Sequence, residues 1–440
     1  MHATSAVSNT METHFQPQPL QPTGQISISP RWALAALLFS GAALATFRLA
    51  GSAADDDDDI INKASFSAFT ITSKEQVSPT AFILSIRVSK AAGGPVDSQR
   101  IGQAWAHGLW SVEIKQPQLQ IARHYTPLPP PPPPPFTKSV GGDPNGGKAQ
   151  AEAGSGSGCR DDELRFLIRK MDGGEMSNYL SKLRVGDQVW LRGPHLGFDV
   201  GRRLGEARDV VFLAGGTGIA PALQAAHRLL DSRPSTGVAV GDEKPTVSIM
   251  WANRRAVDAL GREQRQIPVR KGWFGLGGGA KTETPQRDEG NQSSFARQIL
   301  SMKKQHGKHF DISYFVDEEK SFISAKDLVA ILSRPQTTAS SGLASPAKSC
   351  PWHSATSVAR LPNDNDAERV SDCSCKRTAP GDRLGAELFC VSGPDGFIEA
   401  YAGPKRWQEG NEMQGAVQGL LGSMKKSRPG EMDDWLVLKL

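Results

Sequence analysis

The sequence predicts two domains: an antiparallel β-barrel, then an α/β domain built on a parallel sheet. Three observations carry this reading. Short segments that alternate apolar and polar residues, the pattern of half-buried strands, occupy residues 60–205. From Asp209 onward, apolar runs alternate with helix-periodic segments, as a parallel sheet with crossover helices requires. At the switch, Asp209–Leu230 (DVVFLAGGTGIAPALQAAHRLL) joins the apolar run Val210–Ala214 to a glycine turn and then directly to a helical segment.

The barrel strands are Phe66–Ile71, Ala81–Val88, Leu109–Ile114, Leu164–Arg169 and Gln188–Arg192, separated by Gly, Pro and Asp. The second domain, residues 206–440, adds Val247–Ala252, Phe310–Val316 and Glu387–Val391 as buried strands and Ala325–Leu332 as a helix. Residues 129–160, 261–292 and 334–382 are read as insertions without enough apolar content to form a core. The first begins with the polyproline run Pro129–Pro135. Within the second, Gly275–Thr282 (GLGGGAKT) superficially matches a triphosphate-binding loop. Ala280 replaces its glycine and no apolar strand leads into it, so such a site is not expected.

Ahead of the barrel, Trp32–Phe47 (WALAALLFSGAALATF) carries no charge and is flanked by Arg31 and Arg48. With Leu49 and Ala50 it reaches the roughly 17–20 residues that a membrane span needs. Residues 32–50 are therefore read as one N-terminal membrane helix, and residues 1–31 as a targeting or disordered segment. No basic region precedes the apolar stretch as in a secretory signal, and too few arginines do so for an amphipathic transit peptide. Arg31 before the span and Asp55–Asp59 after it favour an N-terminus on the matrix or cytosolic side.

A net charge of +5 over 440 residues, with no basic cluster interleaved with aromatics, excludes nucleic-acid binding from the expected functions. Five cysteines do not make a disulfide framework at this length. Cys373 and Cys375 form a C-x-C pair in a polar stretch. No second Cys or His pair of suitable spacing accompanies them, so two exposed loop thiols and no metal site are expected.

Three patterns carry chemistry. The turn Gly215, Gly216, Thr217, Gly218 permits close backbone approach of a pyrophosphate at the positive end of a helix. Pro221 suits the first helical turn. It also holds the position of a third glycine, so the fingerprint is imperfect, and a buried strand followed by a core helix is the alternative. In Ile121–Pro127 (IARHYTP), Arg123 and Tyr125 share one face of an extended chain and Thr126 follows. The arginine suits a phosphate and the ring suits a flat heterocycle, but a surface strand with an ordinary ion pair fits as well. Asp172–Leu180 (DGGEMSNYL) sets two glycines before a helix start. Met176, Ser177 and the nearby amides can face a pyrophosphate there, or the turn is simply a helix N-terminus.

Together these form an ordered series: R-x-Y-T, G-G-x-M-S, R-G-P at Arg192–Pro194, G-G-T-G-I-A-P, and S-G-P at Ser392–Pro394. In that order the chain resembles the ferredoxin–NADP reductase superfamily, and within it the NADH–cytochrome b5 reductase type, over Phe66–Leu440 outside the insertions. The resemblance implies an antiparallel FAD-binding β-barrel followed by a parallel-sheet nicotinamide-binding domain, with NADH or NADPH as electron donor. It implies Arg123 at the flavin phosphate, Tyr125 along the isoalloxazine, Thr126 as a catalytic donor near flavin N5, and Ile168 and Arg169 beside the ring. Met176 and Ser177 would hold the FAD pyrophosphate, Gly215–Pro221 the nicotinamide dinucleotide, and Gly393 and Pro394 the edge of the nicotinamide. Ser392 stands where the family usually has a catalytic-site cysteine, and Cys390 lies two residues earlier. After Ala252, Arg254 and Arg255 suit a 2′-phosphate and Asp258 suits ribose hydroxyls, so coenzyme choice stays open.

Leu388–Trp407, Ser111–Pro129 and the apolar N-terminal segment are also similar to fungal mitochondrial flavoproteins of the cytochrome c import factor type. That similarity implies an inner-membrane protein with its reductase domain in the intermembrane space. Its electrons would pass to a haem or haem-protein partner in the cytochrome c assembly machinery. A non-catalytic scaffold of the same fold, and a reductase of another soluble acceptor, are the competing expectations. With neither a C-x-x-C-H motif nor an iron–sulfur cysteine set, any such centre would belong to a partner.

Overall fold

The computed structural model describes residues 61–87, 98–131, 163–231, 244–262, 292–333, 343–355, 373–378 and 382–440. The proposed anchor at 32–50, the segment before it, and most of the first two insertions lie outside these residues. Among the described residues, no helix is long and apolar enough to cross a membrane.

Seven strands form the first sheet: β1 (Ser67–Ser78), β2 (Ala81–Arg87), β3 (Trp110–Gln116), β4 (Ile121–Tyr125), β5 (Pro127–Leu128), β6 (Glu163–Arg169) and β7 (Gln188–Leu196). Their order is β4-β3-β7-β1-β2-β6-β5, and every pairing is antiparallel. The two edge strands, β4 and β5, are separated in the chain by Thr126 alone. The sheet must therefore curl until its edges meet, which makes it a barrel. Alternation chooses the inside: Phe69 and Ile71, Phe82, Leu84 and Ile86, and Leu164, Phe166 and Ile168 fill one core. The opposite faces of β2 and β6 present Ala81, Ile83 and Leu167 to the core of the second domain. A helix not foreseen from the pattern, α1 (Ser98–His107), places Ile101 and Ala104 against the barrel core, and Trp105 edge-on to Trp110.

The second sheet contains β8 (Asp209–Gly215), β9 (Thr246–Asn253), β10 (Phe310–Val316), β11 (Glu387–Ser392) and β14 (Trp435–Lys439), all parallel, in the order β10-β9-β8-β11-β14. A small hairpin, β12 (Arg406–Gln408) and β13 (Asn411–Met413), stands apart. Strand alternation again divides the faces. Val210, Phe212 and Ala214 pack with the helix Ile219–Leu230 and with Ser294–His306. Val211 and Leu213 pack on the opposite side with Leu328, Ile398, Leu421 and Met424, from three further helices. The chain winds outward from β8 through β9 to β10, then returns to place β11 on the other side of β8. The switch point therefore falls between the carboxyl ends of β8 and β11, the position where open α/β sheets form a ligand crevice.

Within 334–382, the described residues 343–355 and 373–378 depart from their reading as part of a segment without packed structure. Leu343 bridges to Arg383, the Ala344 amide donates to the Arg383 carbonyl at 2.8 Å, and Cys350, Trp352, His353 and Ser354 are buried. Average composition hid this, because Ser, Pro and Asp dominate the count while Trp352 and Cys350 do the packing. The expectation for Cys373 and Cys375 changes too. Neither is fully exposed, and both stand with Cys350 and His353 in one cluster. The missing partner pair was Cys350-Pro351-Trp352-His353, a C-x-x-H spacing.

At the start of β11, Glu387 is 2% exposed. Burial pushes its carboxyl up to about 7, against the amides of Arg208 and Asp209 that it accepts. Because the folded value lies above the unfolded one, protonation favours the fold. That contribution is complete below about pH 4.5 and is lost as pH rises through 7. Glu387→Gln is expected to flatten the fall in melting temperature between pH 5 and 7 (roughly, from that window). Thermal melts of both proteins across the window test this, and parallel slopes would remove Glu387 as the cause.

Candidate functional site

The crevice at the switch point is built from backbone packed on backbone. Strand β8 ends at Gly215, Gly216–Gly218 makes one 3-10 turn, and α4, the helix Ile219–Leu230, follows without a gap. (The three earlier helices are α1, then α2 at Glu175–Lys182 and α3 at Val200–Leu204.) A Cβ on Gly218 would lie 2.3 Å from the Ser392 carbonyl oxygen, so only glycine lets the two strand ends approach this closely. Gly216 has φ +55°, the left-handed region that glycine favours. Two donors then fix the turn: Ser392 Oγ to the Gly218 carbonyl at 2.6 Å, and Trp251 Nε1 to the Gly216 carbonyl at 2.8 Å. Ser392 itself is buried, so its hydroxyl is committed to positioning the turn.

The barrel supplies the facing wall. Arg123 and Tyr125 pair with Ile114 and Val112 across β3, so they share one face as alternation predicts. Arg123 is exposed, and its guanidinium donates to the Ala122 carbonyl at 2.8 Å. Burial pushes the Tyr125 phenol up to about 12, although the Arg123 charge works the other way. Helix α2 packs against β4, the strand that carries both residues. The cap residue, Gly174, offers no side chain, and the first helical amides have no intrahelical partner. Ser177 Oγ accepts from the Met171 amide at 3.1 Å and donates to the Gly174 carbonyl at 3.2 Å, shaping the turn. The Met176 side chain is buried in the barrel core. What this motif can offer an anion is therefore backbone N–H rather than side chain.

Between the walls lies a cavity of about 540 Å³, within the about 300–1,000 Å³ typical of small-molecule sites. Of the residues singled out from the sequence, it brings together Tyr125, Thr126, Thr217, Gly218, Pro221, Ser392 and Gly393. It does not include Ile168, Arg169, Gly215, Gly216 or Pro394, nor Arg123 on β4 and Met176 and Ser177 on α2. Strand alternation separates the expected pair on β6: Ile168 points into the barrel core, and its neighbour Leu167 reaches the cavity wall. Pro394 caps the helix that follows β11. Residues that the sequence did not flag, Trp110, His124, His195 and Gln224, also line the cavity. Their signal is tertiary. Gln224 is fully buried on α4, accepts from the Trp110 amide at 3.1 Å and donates to the Pro127 carbonyl at 3.0 Å.

A second polar knot joins the domains. Asp258 accepts from Ser78 Oγ at 2.6 Å and Thr80 Oγ1 at 2.7 Å, and pairs with Arg169. The suggestion that Asp258 holds ribose hydroxyls is thereby corrected. The 3-10 turn Ala256–Asp258 tucks the carboxylate against the barrel, where three donors already occupy it. Arg254 and Arg255 remain exposed at the end of β9.

Comparison with known proteins adds to this geometry. Residues 156–199 match the family of oxidoreductase FAD-binding domains. The cytochrome c mitochondrial import factor CYC2 of Saccharomyces cerevisiae is 27% identical over 155 residues, which cover 34% of this chain and 37% of that protein. NADH-cytochrome b5 reductase 1 of Aspergillus oryzae is 24% identical over 214 residues, 48% of this chain and 60% of that protein. The chain thus spans less than two thirds of either relative. Among solved structures, the cytochrome b5 reductase domain of Ulva prolifera nitrate reductase aligns over 77% of this chain and 91% of that one, at 16% identity and a TM-score of 0.37. The chain therefore carries an oxidoreductase FAD-binding domain. Within that class, it is a homologue of the NADH–cytochrome b5 reductases and of the yeast import factor.

The Asp258 knot can be tested by itself. Removing one member of a buried pair strands the other, so Asp258→Ala is expected to lower unfolding free energy by about 3 kcal/mol. Arg254→Ala, in the exposed part of the same loop, should change it by less than about 0.5 kcal/mol. Equal effects in denaturant titrations would show that the knot does not hold the domains together.

Proposed function

We propose that this protein is a FAD-dependent NAD(P)H oxidoreductase that passes electrons from the nicotinamide to a haem or haem-protein acceptor. The observation that carries the proposal is the shared cavity, where the barrel's Tyr125 and Thr126 face the glycine turn and Ser392–Gly393. The residues fit the cofactor. Uncapped amides at the start of α2 and the exposed Arg123 offer positive charge to a pyrophosphate, Tyr125 offers a ring face, and Thr126 a hydroxyl. FAD, when bound, supplies chemistry that accepts a hydride and releases electrons singly.

The remaining work belongs to the protein and is positional. The carbonyl anchors on Gly216 and Gly218 keep the turn from rotating, and so keep a bound dinucleotide in one register. Ser392 occupies the position where the resemblance leads one to expect cysteine, and it does so as a hydrogen-bond donor to the turn. Cys390 is no substitute, because it lies in the core and burial pushes its thiol above the ordinary range.

The similarity to the yeast factor supports a finer reading: a mitochondrial inner-membrane protein anchored through residues 32–50, with its reductase domain in the intermembrane space, supporting haem attachment to cytochrome c. Carbonate extraction of mitochondrial membranes tests the anchor, and a released protein would reject it.

Two measurements test the core proposal. The purified protein should be yellow, and NADH or NADPH should bleach it under anaerobic conditions. A folded sample that neither contains nor takes up FAD would reject the proposal. One that binds FAD but reduces no acceptor would favour the scaffold reading. Arg123→Ala should weaken FAD binding by about tenfold or more, the value of a charge-assisted hydrogen bond. Gly218→Ala should raise KM for the nicotinamide coenzyme with the flavin spectrum retained, since the added carbon collides with the Ser392 carbonyl and not with the barrel. An unchanged KM would place the coenzyme elsewhere.

A further inference from the structure

Outside the cavity, the most concentrated chemistry lies in the segment after α6 (Ala325–Leu332; α5 is Ser294–His306). Cys350, His353, Cys373 and Cys375 each offer one ligand atom, and the four atoms lie within 4.8 Å of one another. The separations are those of a metal's ligand shell. Cys350 Sγ and Cys373 Sγ are 3.8 Å apart, and His353 Nδ1 lies 3.6, 3.2 and 3.5 Å from the sulfurs of Cys350, Cys373 and Cys375. A tetrahedral zinc with Zn–S of about 2.3 Å and Zn–N of about 2.0 Å has S···S edges of about 3.8 Å and S···N edges of about 3.5 Å. A disulfide would require sulfurs at about 2.05 Å, and these four cysteines of the described chain, Cys390 included, are free thiols.

The surroundings complete the case. His353 Nε2 lies 3.2 Å from the Arg202 carbonyl. With that nitrogen donating its proton, Nδ1 presents a lone pair toward the three sulfurs, as metal-bound histidines do. The Cys375 amide donates to Cys373 Sγ at 3.3 Å. Three thiolates and one Zn²⁺ leave a net negative charge, and two arginines of α3 stand against the knuckle. Arg202 lies 4.0 Å over the Trp352 ring, and Arg203 donates to the Trp352 carbonyl at 3.3 Å. The second half is strapped to the same region by Arg377 and Glu206 at 2.5 Å.

We infer that Cys350, His353, Cys373 and Cys375 bind one structural zinc ion through a C-x-x-H…C-x-C arrangement. On binding, the thiols give up their protons to solvent and no electron is transferred. Four protein ligands close the coordination sphere, so the site is structural rather than catalytic. Its effect is to join residues 350–353 to residues 373–375 and fasten both to α3, the next element after β7. The end of β7 and the two residues after it, Leu196–Phe198, line the cavity, so the ion would brace one of its walls from behind.

The test uses the full chain, purified under reducing conditions. Elemental analysis should find about one zinc per chain. Cobalt added to metal-stripped protein should give the visible absorption of a tetrahedral thiolate site. Cys350→Ser and His353→Ala should each lose most of the metal, and substitution of the one further cysteine, Cys159→Ser in the insertion 129–160, should retain it. A chelator should lower the melting temperature of the unaltered protein, and zinc should restore it. Stripped, reduced protein that takes up neither zinc nor cobalt would overturn the inference. So would a disulfide among Cys350, Cys373 and Cys375 in freshly purified protein, or metal content indifferent to the Cys350 and His353 variants.

Discussion

The cavity is a gap between two sheets, and its shape depends on how those sheets are held. Apolar contact alone is non-directional, and Ala81, Ile83 and Leu167 would tolerate sliding against the second domain. Buried hydrogen bonds do not. Asp258 takes three barrel donors, Gln224 bridges the Trp110 amide and the Pro127 carbonyl, and Arg165 reaches Gln298 at 3.1 Å. Each would leave a costly unpaired group if the domains shifted. This polar seam fixes the distance between Thr126 on one wall and Thr217 on the other.

Within that frame, the two walls are rigid for different reasons. The barrel wall is fixed by closure, since Thr126 is the single residue between the sheet's two edges. It cannot move without opening the barrel. The opposite wall is fixed by crowding. Gly218 lies against the Ser392 carbonyl with no room for a methyl group, and donors from β9 and β11 hold the turn's carbonyls. A hydroxyl and an indole nitrogen thus do work that would otherwise be assigned to residues touching a ligand.

The sequence made the strand alternation, the change of pattern at Asp209 and the glycine turn legible, because these are local and periodic. Tyr125, Thr126, Thr217, Gly218, Ser392 and Gly393, from motifs far apart in the chain, line one cavity. What could not be read depends on where distant surfaces meet. Ile168, expected beside the ring with Arg169, lies in the barrel core while Leu167 lines the cavity, because one residue of register decides which side chain faces inward. Asp258 suited ribose hydroxyls as one of two open options, and the structure turns it to the barrel's Ser78 and Thr80. The Cys–His cluster escaped because its halves stand about twenty residues apart in a polar stretch, and metal spacing reads clearly only when both pairs are sought together. Helix α1 gave no early sign because its burial is shared among Ile101, Ala104 and Trp105 rather than set out as a long stripe.

Strand order has a consequence for biogenesis. Strand β7 lies between β3 and β1, so the barrel cannot close until residues near 196 have been made. Strand β11 lies against β8, so Val211 and Leu213 keep an open flank until residues near 392 follow. The two halves of the crevice are therefore completed almost 200 residues apart (roughly, by sequence separation), and the second only near the end of synthesis. A growing chain holds a finished barrel beside half a sheet whose central strand is still uncovered. During that interval the nascent protein presents sticky apolar surface, and a truncated product ending before β11 would be a target for chaperones and proteases rather than a smaller working protein.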